Sequence, residues 1–248
     1  MVTKVIPHKY DYSKRINKTI PMKTKDVDIR NFLNSIILKE YLNDSDTKII
    51  NEFDVCRGNT RIDVAVINGS ITGYEIKSDS DTLYRLPNQI ELYCKVFDKI
   101  TIICGKAHTN KILNLVPKWW GVLEVTGDKY GIKKSNIRSA KKNKFIDAYS
   151  VSQLLWKNEA LELLSLYELS KGLSNKTVNI IWKKIADSIS LENIQDFVRE
   201  KLKKRPNWRA GKPQIRYAGL SRSVPRSLDF QRKNLDSLLS QISHDLRR

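Results

Sequence analysis

Between Arg61 and Lys77 the chain reads Arg-Ile-Asp-Val-Ala-Val-Ile-Asn-Gly-Ser-Ile-Thr-Gly-Tyr-Glu-Ile-Lys: two short apolar segments joined by Asn68-Gly69-Ser70, each with an acidic residue inside it. Apolar runs of this length joined by a turn signal predict a β-hairpin. In a strand the side chains alternate between faces, so Glu75 and Lys77 project to one side and Ile76 to the other. Pairing of the two strands brings Asp63 beside them. A carboxylate in an apolar strand is costly unless it is paired or holds a cation. The segment therefore asks for a sheet with two carboxylates and an ammonium converging at one place.

The flanking patterns supply the rest of such a sheet. Ile29, Phe32, Leu33, Ile36, Ile37 and Tyr41 recur at three- and four-residue steps and predict an amphipathic helix from Asp26 to about Leu42. Strands are expected over 48–56, 61–67 and 72–77, and a helix over 81–97 with Asp81 as its cap. The unbroken apolar run Ile100 to Cys104 fits a strand buried on both faces. A helix over 108–116 and a strand over 121–125 follow. The order αβββαβαβ describes an α/β fold, a mixed sheet flanked by helices. Trp119 and Trp120 are expected to pack rather than to stack on bases. Beyond residue 150 only helical patterns occur, over Leu154 to Leu169, Val178 to Ile189 and Leu191 to Leu202, with Pro206 as a stop. The expected organisation is a basic arm (1–25), a core (26–128), a basic connector (129–149), a helical accessory domain (150–208) and a basic tail (209–248).

Charge narrows the partner. The 248 residues carry 45 Lys and Arg against 27 Asp and Glu, a formal net charge of +18, which points to a polyanion and first to nucleic acid. No apolar run approaches the ~20 residues of a membrane span, and the first residues contain no apolar signal segment, so a cytoplasmic protein without a membrane partner is expected. Three cysteines without paired spacing and three scattered histidines indicate neither a disulfide framework nor a zinc site.

Two carboxylates and a lysine on one sheet suit phosphodiester hydrolysis with Mg²⁺ or Mn²⁺. Asp63 and Glu75 are the expected metal ligands, the Ile76 carbonyl a third, and Lys77 the group that positions the attacking water. The Asp63-x11-Glu75-x-Lys77 spacing after an N-terminal helix resembles the restriction-endonuclease-like PD-(D/E)xK nuclease superfamily. More closely, Gly73-Tyr-Glu-Ile-Lys-Ser-Asp79, Asp81-Thr-Leu-Tyr-Arg-Leu86, Gln89 and Pro117-Lys-Trp-Trp-Gly121 look like a family of small bacterial and phage proteins within it, and the similarity continues through Leu154-Leu-Trp-Lys-Asn-Glu-Ala160 to Trp208-Arg209. The resemblance implies a restriction-endonuclease-like core with Asp63, Glu75 and Lys77 at the catalytic positions and Gln89 as a helix glutamine beside them. Arg61-Ile62 stands where that motif often has a proline before the aspartate. For a further acid, Asp28, Glu40 and Glu52 are available, and Glu52 is favoured; Tyr93 and Arg85 could line the site from the same helix as Gln89.

Lys133, Lys134, Arg138, Lys141, Lys142, Lys203, Lys204 and Arg209 are candidate phosphate contacts, which supply affinity without base specificity. The function expected is a metal-dependent nuclease, DNA favoured over RNA. A homodimer and a protein partner both stay open. The alternative is a non-catalytic nucleic-acid-binding or adaptor protein, in phage defence or counter-defence, that keeps the fold.

Overall fold

A computed structural model of the chain describes residues 22–206 apart from 42, 129 and 130. The arm up to residue 21, Arg209 and the tail over 209–248 lie outside the described residues.

Helix α1 (Asp26–Phe32) opens the fold, followed by strands β1 (Lys48–Val55), β2 (Thr60–Ile67) and β3 (Ile71–Lys77), helix α2 (Leu86–Tyr93), strand β4 (Lys99–Gly105), helix α3 (Thr109–Leu115) and strands β5 (Gly121–Asp128) and β6 (Gly131–Arg138). Four helices complete it: α4 (Ala148–Ser152), α5 (Lys157–Leu166), α6 (Val178–Ser188) and α7 (Leu191–Lys204). The six strands form one mixed sheet in chain order. β1, β2 and β3 are an antiparallel meander, β3, β4 and β5 run parallel, and β6 returns antiparallel to β5. This is the mixed sheet flanked by helices, with further helices at the C-terminal side, that the sequence predicts.

Alternation along the strands sorts the core into two layers. Val64, Val66, Tyr74, Ile76, Ile103, Leu123 and Val125 pack against Ile29, Phe32 and Leu33 of the α1 segment. On the opposite face Ala65, Ile67, Ile100, Ile102, Cys104 and Val122 meet Leu86, Ile90 and Tyr93 of α2 and Ile112 of α3. That second cluster runs without interruption into Val151, Leu163, Ile181, Ile194 and Leu202 of the C-terminal helices. Each such side chain, fully buried, contributes about 1.5–3 kcal/mol. Trp119 and Trp120 belong to it, with Trp120 stacked on Tyr93, as packing residues should be.

Four local readings differ. The first helix is regular only to Phe32; a π-turn over Leu33–Ile37 and a 3₁₀ turn over Leu38–Tyr41 follow. The wider turn shifts the phase, so Leu38 is buried while Ile36 is 53% exposed. Asp81 does not cap α2: its carboxylate accepts from Ser78 N–H and Oγ, and the helix starts five residues later with Pro87 in its first turn. The basic stretch after residue 129 holds a strand, because β6 pairs from Gly131 to Arg138 with β5. Its lysines hide that strand from a search for buried alternation and are what keeps an open sheet edge soluble. The helix expected over Leu154 to Leu169 spans only Lys157–Leu166, because Trp156 is extended and Glu159 accepts its N–H, so α5 starts there and leaves Leu154 and Leu155 ahead of it.

Candidate active site

The β2–β3 ladder runs from Ile67 opposite Ile71 to Val64 opposite Tyr74. The next pair in that register is Asp63 and Glu75, and there the side chain replaces the main chain: Asp63 Oδ2 accepts the Ile76 N–H at 2.7 Å. The strands open at this point, and Asp63 is fixed beside the end of β3. Its other oxygen, Oδ1, accepts from Arg30 Nη2 of α1 at 2.8 Å. Burial pushes the Asp63 carboxyl up, against the pull of the Ile76 N–H, Arg30 and Lys77.

Glu75 is 2% exposed and faces α2. Its Oε1 accepts from Lys77 Nζ at 2.5 Å and from Gln89 Nε2 at 2.8 Å. Tyr93 Oη lies 3.0 Å from Glu75 Oε2 and 2.5 Å from the Arg61 carbonyl, between the carboxylate and the start of β2, with one proton to donate to either. Gln89 and Tyr93, four residues apart, stand on one face of α2 and meet each other at 3.2 Å. Gln89 Oε1, in contrast, has no hydrogen-bond partner among the described residues.

Burial pushes the Glu75 carboxyl up to about 7, and the charge of Asp63 adds to the effect, while Lys77 and Tyr93 oppose it. Folded Glu75 thus keeps its proton over a range in which the unfolded chain, ionising near 4.5, has lost it. Native protein binds the extra proton, so stability falls as pH rises from about 4.5 to about 7. Glu75→Gln removes this dependence. Urea unfolding without divalent cations is expected to show wild type losing on the order of 2–3 kcal/mol relative to Glu75→Gln between pH 5 and pH 8. Parallel pH profiles for the two proteins would mean that Glu75 ionises like a solvent-exposed carboxyl.

Of the three further acids, Glu52 is the one brought to Asp63. Asn51 opposite Val64 and Phe53 opposite Ile62 place it across from Asp63 on β1, with a left-handed φ of 54°. That conformation is strained for a glutamate inside a strand, and such outliers concentrate at functional sites. Glu52 Oε1 lies 3.4 Å from Arg30 Nη2 and its Oε2 lies 3.3 Å from Arg61 Nη1. Asp28 instead accepts the Lys25 N–H at the start of α1, and Glu40 sits exposed on the 3₁₀ turn. Arg85 is exposed ahead of α2. Arg30 and Asp26, which joins it at 3.4 Å, were not singled out by the sequence. Their signal is the i, i+4 pair on the helix side that also carries the buried Ile29 and Leu33.

The segment before α1 is fastened to the loop that leaves β3. Asp79 Oδ2 accepts from Thr24 N–H and Oγ1 at 2.8 and 2.7 Å, and its Oδ1 accepts from the Ala107 N–H at 2.9 Å. The loop that follows Lys77 is thereby held from two sides, by the segment before α1 and by the loop after β4.

This architecture can now be set beside known proteins. Residues 24–223 match the family described as bacteriophage P4 protein cII. The chain belongs to that family. Protein cII of Enterobacteria phage P4 is 31% identical over 161 residues, which cover 65% of this chain and 60% of the phage protein. A protein of unknown function from Silicibacter pomeroyi is 18% identical, with 56% of this chain and 89% of that one covered at a TM-score of 0.32, a likeness too slight to carry fold or function.

In this cII-family chain the basic candidates fall into two groups at opposite edges of the sheet. Lys133, Lys134 and Arg138 lie on β6, with Lys141 and Lys142 exposed just after it. Lys133 is ion-paired with Asp128. Arg138 is turned inward, its guanidinium donating to the Trp120 and Pro117 carbonyls at 2.7 and 3.1 Å. Lys203 and Lys204 end α7; the first pairs with Asp46 near β1 and the second with Glu200. No helix among the described residues is long and apolar enough to cross a membrane.

Three or more His, Cys, Asp or Glu side chains nowhere converge on a metal position among the described residues. The set at the end of β3 is smaller and all oxygen: Asp63, Glu75 and the Ile76 carbonyl. It fits a hard cation such as Mg²⁺, which is commonly held by one or two carboxylates with water completing its shell. The buried Gln89 oxygen without a hydrogen-bond partner among the described residues lies beside this set, because the same amide donates to Glu75.

Proposed function

We propose that this cII-family chain is a metal-dependent nuclease, with DNA favoured over RNA as its substrate. The reading rests on one observation above all: Glu75, almost wholly buried, holds Lys77 Nζ at 2.5 Å beside an Asp63 carboxylate that leaves the β ladder to reach the same strand. A lysine and two carboxylates are seldom enclosed in a sheet without chemistry to perform.

Asp63 and Glu75 would hold Mg²⁺ or Mn²⁺, with the Ile76 carbonyl as a third donor. When bound, the ion supplies Lewis-acid polarisation of the phosphate and a lower pKa for water. Lys77 places a positive charge where the attacking hydroxide and the developing phosphorane charge are stabilised. Gln89 and Tyr93 fix the Glu75 carboxylate in one orientation from α2, so that no reorganisation is needed during reaction. The net charge of +18 supports a nucleic-acid substrate through phosphate contacts, and the exposed Lys134, Lys141 and Lys142 are the described residues best placed to make them.

One observation favours a second reading, a binding or adaptor protein. Every oxygen of Asp63 and Glu75 already has a protein partner, Arg30 and Lys77 serving as the cations. A binding or adaptor protein that retains the fold would look the same. The deciding experiment is cleavage of supercoiled plasmid and single-stranded DNA by the full chain with Mg²⁺, Mn²⁺ or EDTA, beside Asp63→Ala. Metal-dependent cleavage lost in the variant supports the nuclease; no cleavage by wild type, with equal salt-sensitive binding by both, supports the adaptor.

A further inference from the structure

Helix α1, packed on the sheet through Ile29 and Phe32, also sends one charged side chain to it. Arg30 Nη2 lies 2.8 Å from Asp63 Oδ1 and 3.4 Å from Glu52 Oε1, while Arg30 Nε lies 3.4 Å from Asp26 Oδ2. Arg61 closes the group from β2, 3.3 Å from Glu52 Oε2 and 3.0 Å from Asp54 Oδ1. Asp26, Glu52, Asp54 and Asp63 thus gather around the Arg30 and Arg61 guanidiniums next to the Glu75–Lys77 pair. Independently of this cluster, Gln89 is only 8% exposed, grips Glu75 through Nε2 and leaves its Oε1 without a partner among the described residues. The end of the sheet thus gathers carboxylates beside a buried acceptor that has no partner among the described residues.

We infer that Arg30 is a resident cation that competes with the divalent metal for Asp63, leaving Asp63 when metal enters and falling back on Asp26 and Glu52. The inference rests on the metal-dependent reading above. Competition follows from the geometry of one carboxylate. Asp63 Oδ2 is engaged by the Ile76 N–H, so Oδ1, the atom Arg30 holds, is the oxygen left for an incoming cation. The guanidinium is free to withdraw: its side chain is 28% exposed, and Asp26, one helical turn earlier on α1, stays within reach. A guanidinium is large and delocalised with one charge; Mg²⁺ is compact with two, and oxygen donors are its natural ligands. The π-turn that follows α1 gives the helix end an irregular, less tightly wound neighbour, which suits a side chain that has two positions.

The test is Mn²⁺ binding by calorimetric titration of the full chain at low ionic strength, with no substrate present. Arg30→Met removes the charge and keeps the apolar stem; it is expected to bind Mn²⁺ roughly tenfold more tightly than wild type. Adding Asp63→Asn to Arg30→Met should abolish the gain. A second measurement needs no loss of the arginine: on saturation with Mg²⁺ the Arg30 Nη–H resonances of wild type, assigned by their absence in Arg30→Lys, should shift as Nη2 leaves Asp63 for Asp26 and Glu52. Equal Mn²⁺ affinities in wild type and Arg30→Met, with an unmoved Arg30 resonance, would overturn the competition while metal-dependent cleavage still stood. Absence of Mn²⁺ binding in both proteins would overturn the competition and the nuclease reading together.

Discussion

Replacing Lys77 by Ala is expected to lower metal-dependent cleavage by a factor on the order of 10²–10³, the usual loss when one pre-positioned electrostatic group is removed from a hydrolytic site. The side chain is 9% exposed and its ammonium has one ion-pair partner among the described residues, Glu75, so its removal takes away both the proposed catalytic charge and the counter-charge of a buried carboxylate. Glu75 then binds its proton more firmly, because Lys77 is the main influence that pulls its carboxyl down. Cleavage by Lys77→Ala should therefore recover in part as pH is raised, whereas Lys77→Arg keeps the charge and should lose less at every pH. DNA binding in EDTA should be nearly the same in all three proteins, since the proposed phosphate contacts are exposed lysines elsewhere. Unchanged cleavage by purified, folded Lys77→Ala would remove this residue from the mechanism and with it the strongest support for the nuclease reading.

The largest effect on stability is expected far from that site. Arg205 and Glu159 are 4% and 7% exposed, and the guanidinium binds the carboxylate through two nitrogens while donating to the Leu154 carbonyl at 2.8 Å and lying 4.2 Å over the Trp156 ring. The same carboxylate accepts the Trp156 N–H at the start of α5, and the Arg205 carbonyl accepts from Lys48 Nζ of β1. One ion pair thus fastens the end of α7 to the start of α5 and to the sheet. Glu159→Ala leaves a buried guanidinium without its carboxylate, at a cost of about 3–5 kcal/mol. For a domain of this size that lowers Tm by roughly 10 °C. The double variant Glu159→Leu, Arg205→Met should recover much of the loss, because no buried charge is then left alone. A Tm within about 2 °C of wild type for Glu159→Ala would show that water reaches the pair.

What the sequence made legible divides along the same physical lines. Asp63, Glu75 and Lys77 could be read because strand alternation and a hairpin turn are local rules, and the structure does bring the three together. The parallel strands were legible from their apolar runs. β6 was not, since an edge strand with exposed lysines has no buried face to betray it. The break at Trp156 went unseen because a helix start capped by Glu159 depends on a carboxylate that Arg205, far along the chain, holds in place. Arg30 escaped for a related reason: the space between α1 and the sheet sets its role, and no spacing within α1 reveals that space. Asn143 shows the same limit inside a run of lysines. It is 3% exposed and donates to the Cys94 and Phe97 carbonyls beyond the end of α2, a task that only the folded chain defines.

The uninterrupted core between the sheet and the C-terminal helices also bears on how the chain is made. Synthesis completes the sheet at Arg138, yet the apolar residues that finish covering one of its faces extend to Leu202, about 64 residues later. At typical elongation rates of about 5–20 residues per second, part of that face stays open to water for roughly 3–13 seconds on every nascent chain. During that interval the part of β2 against which α7 packs lies open to whatever is nearby. Chaperone contact on the ribosome, or a slower rate of translation, would bear most heavily on this protein between those two residues.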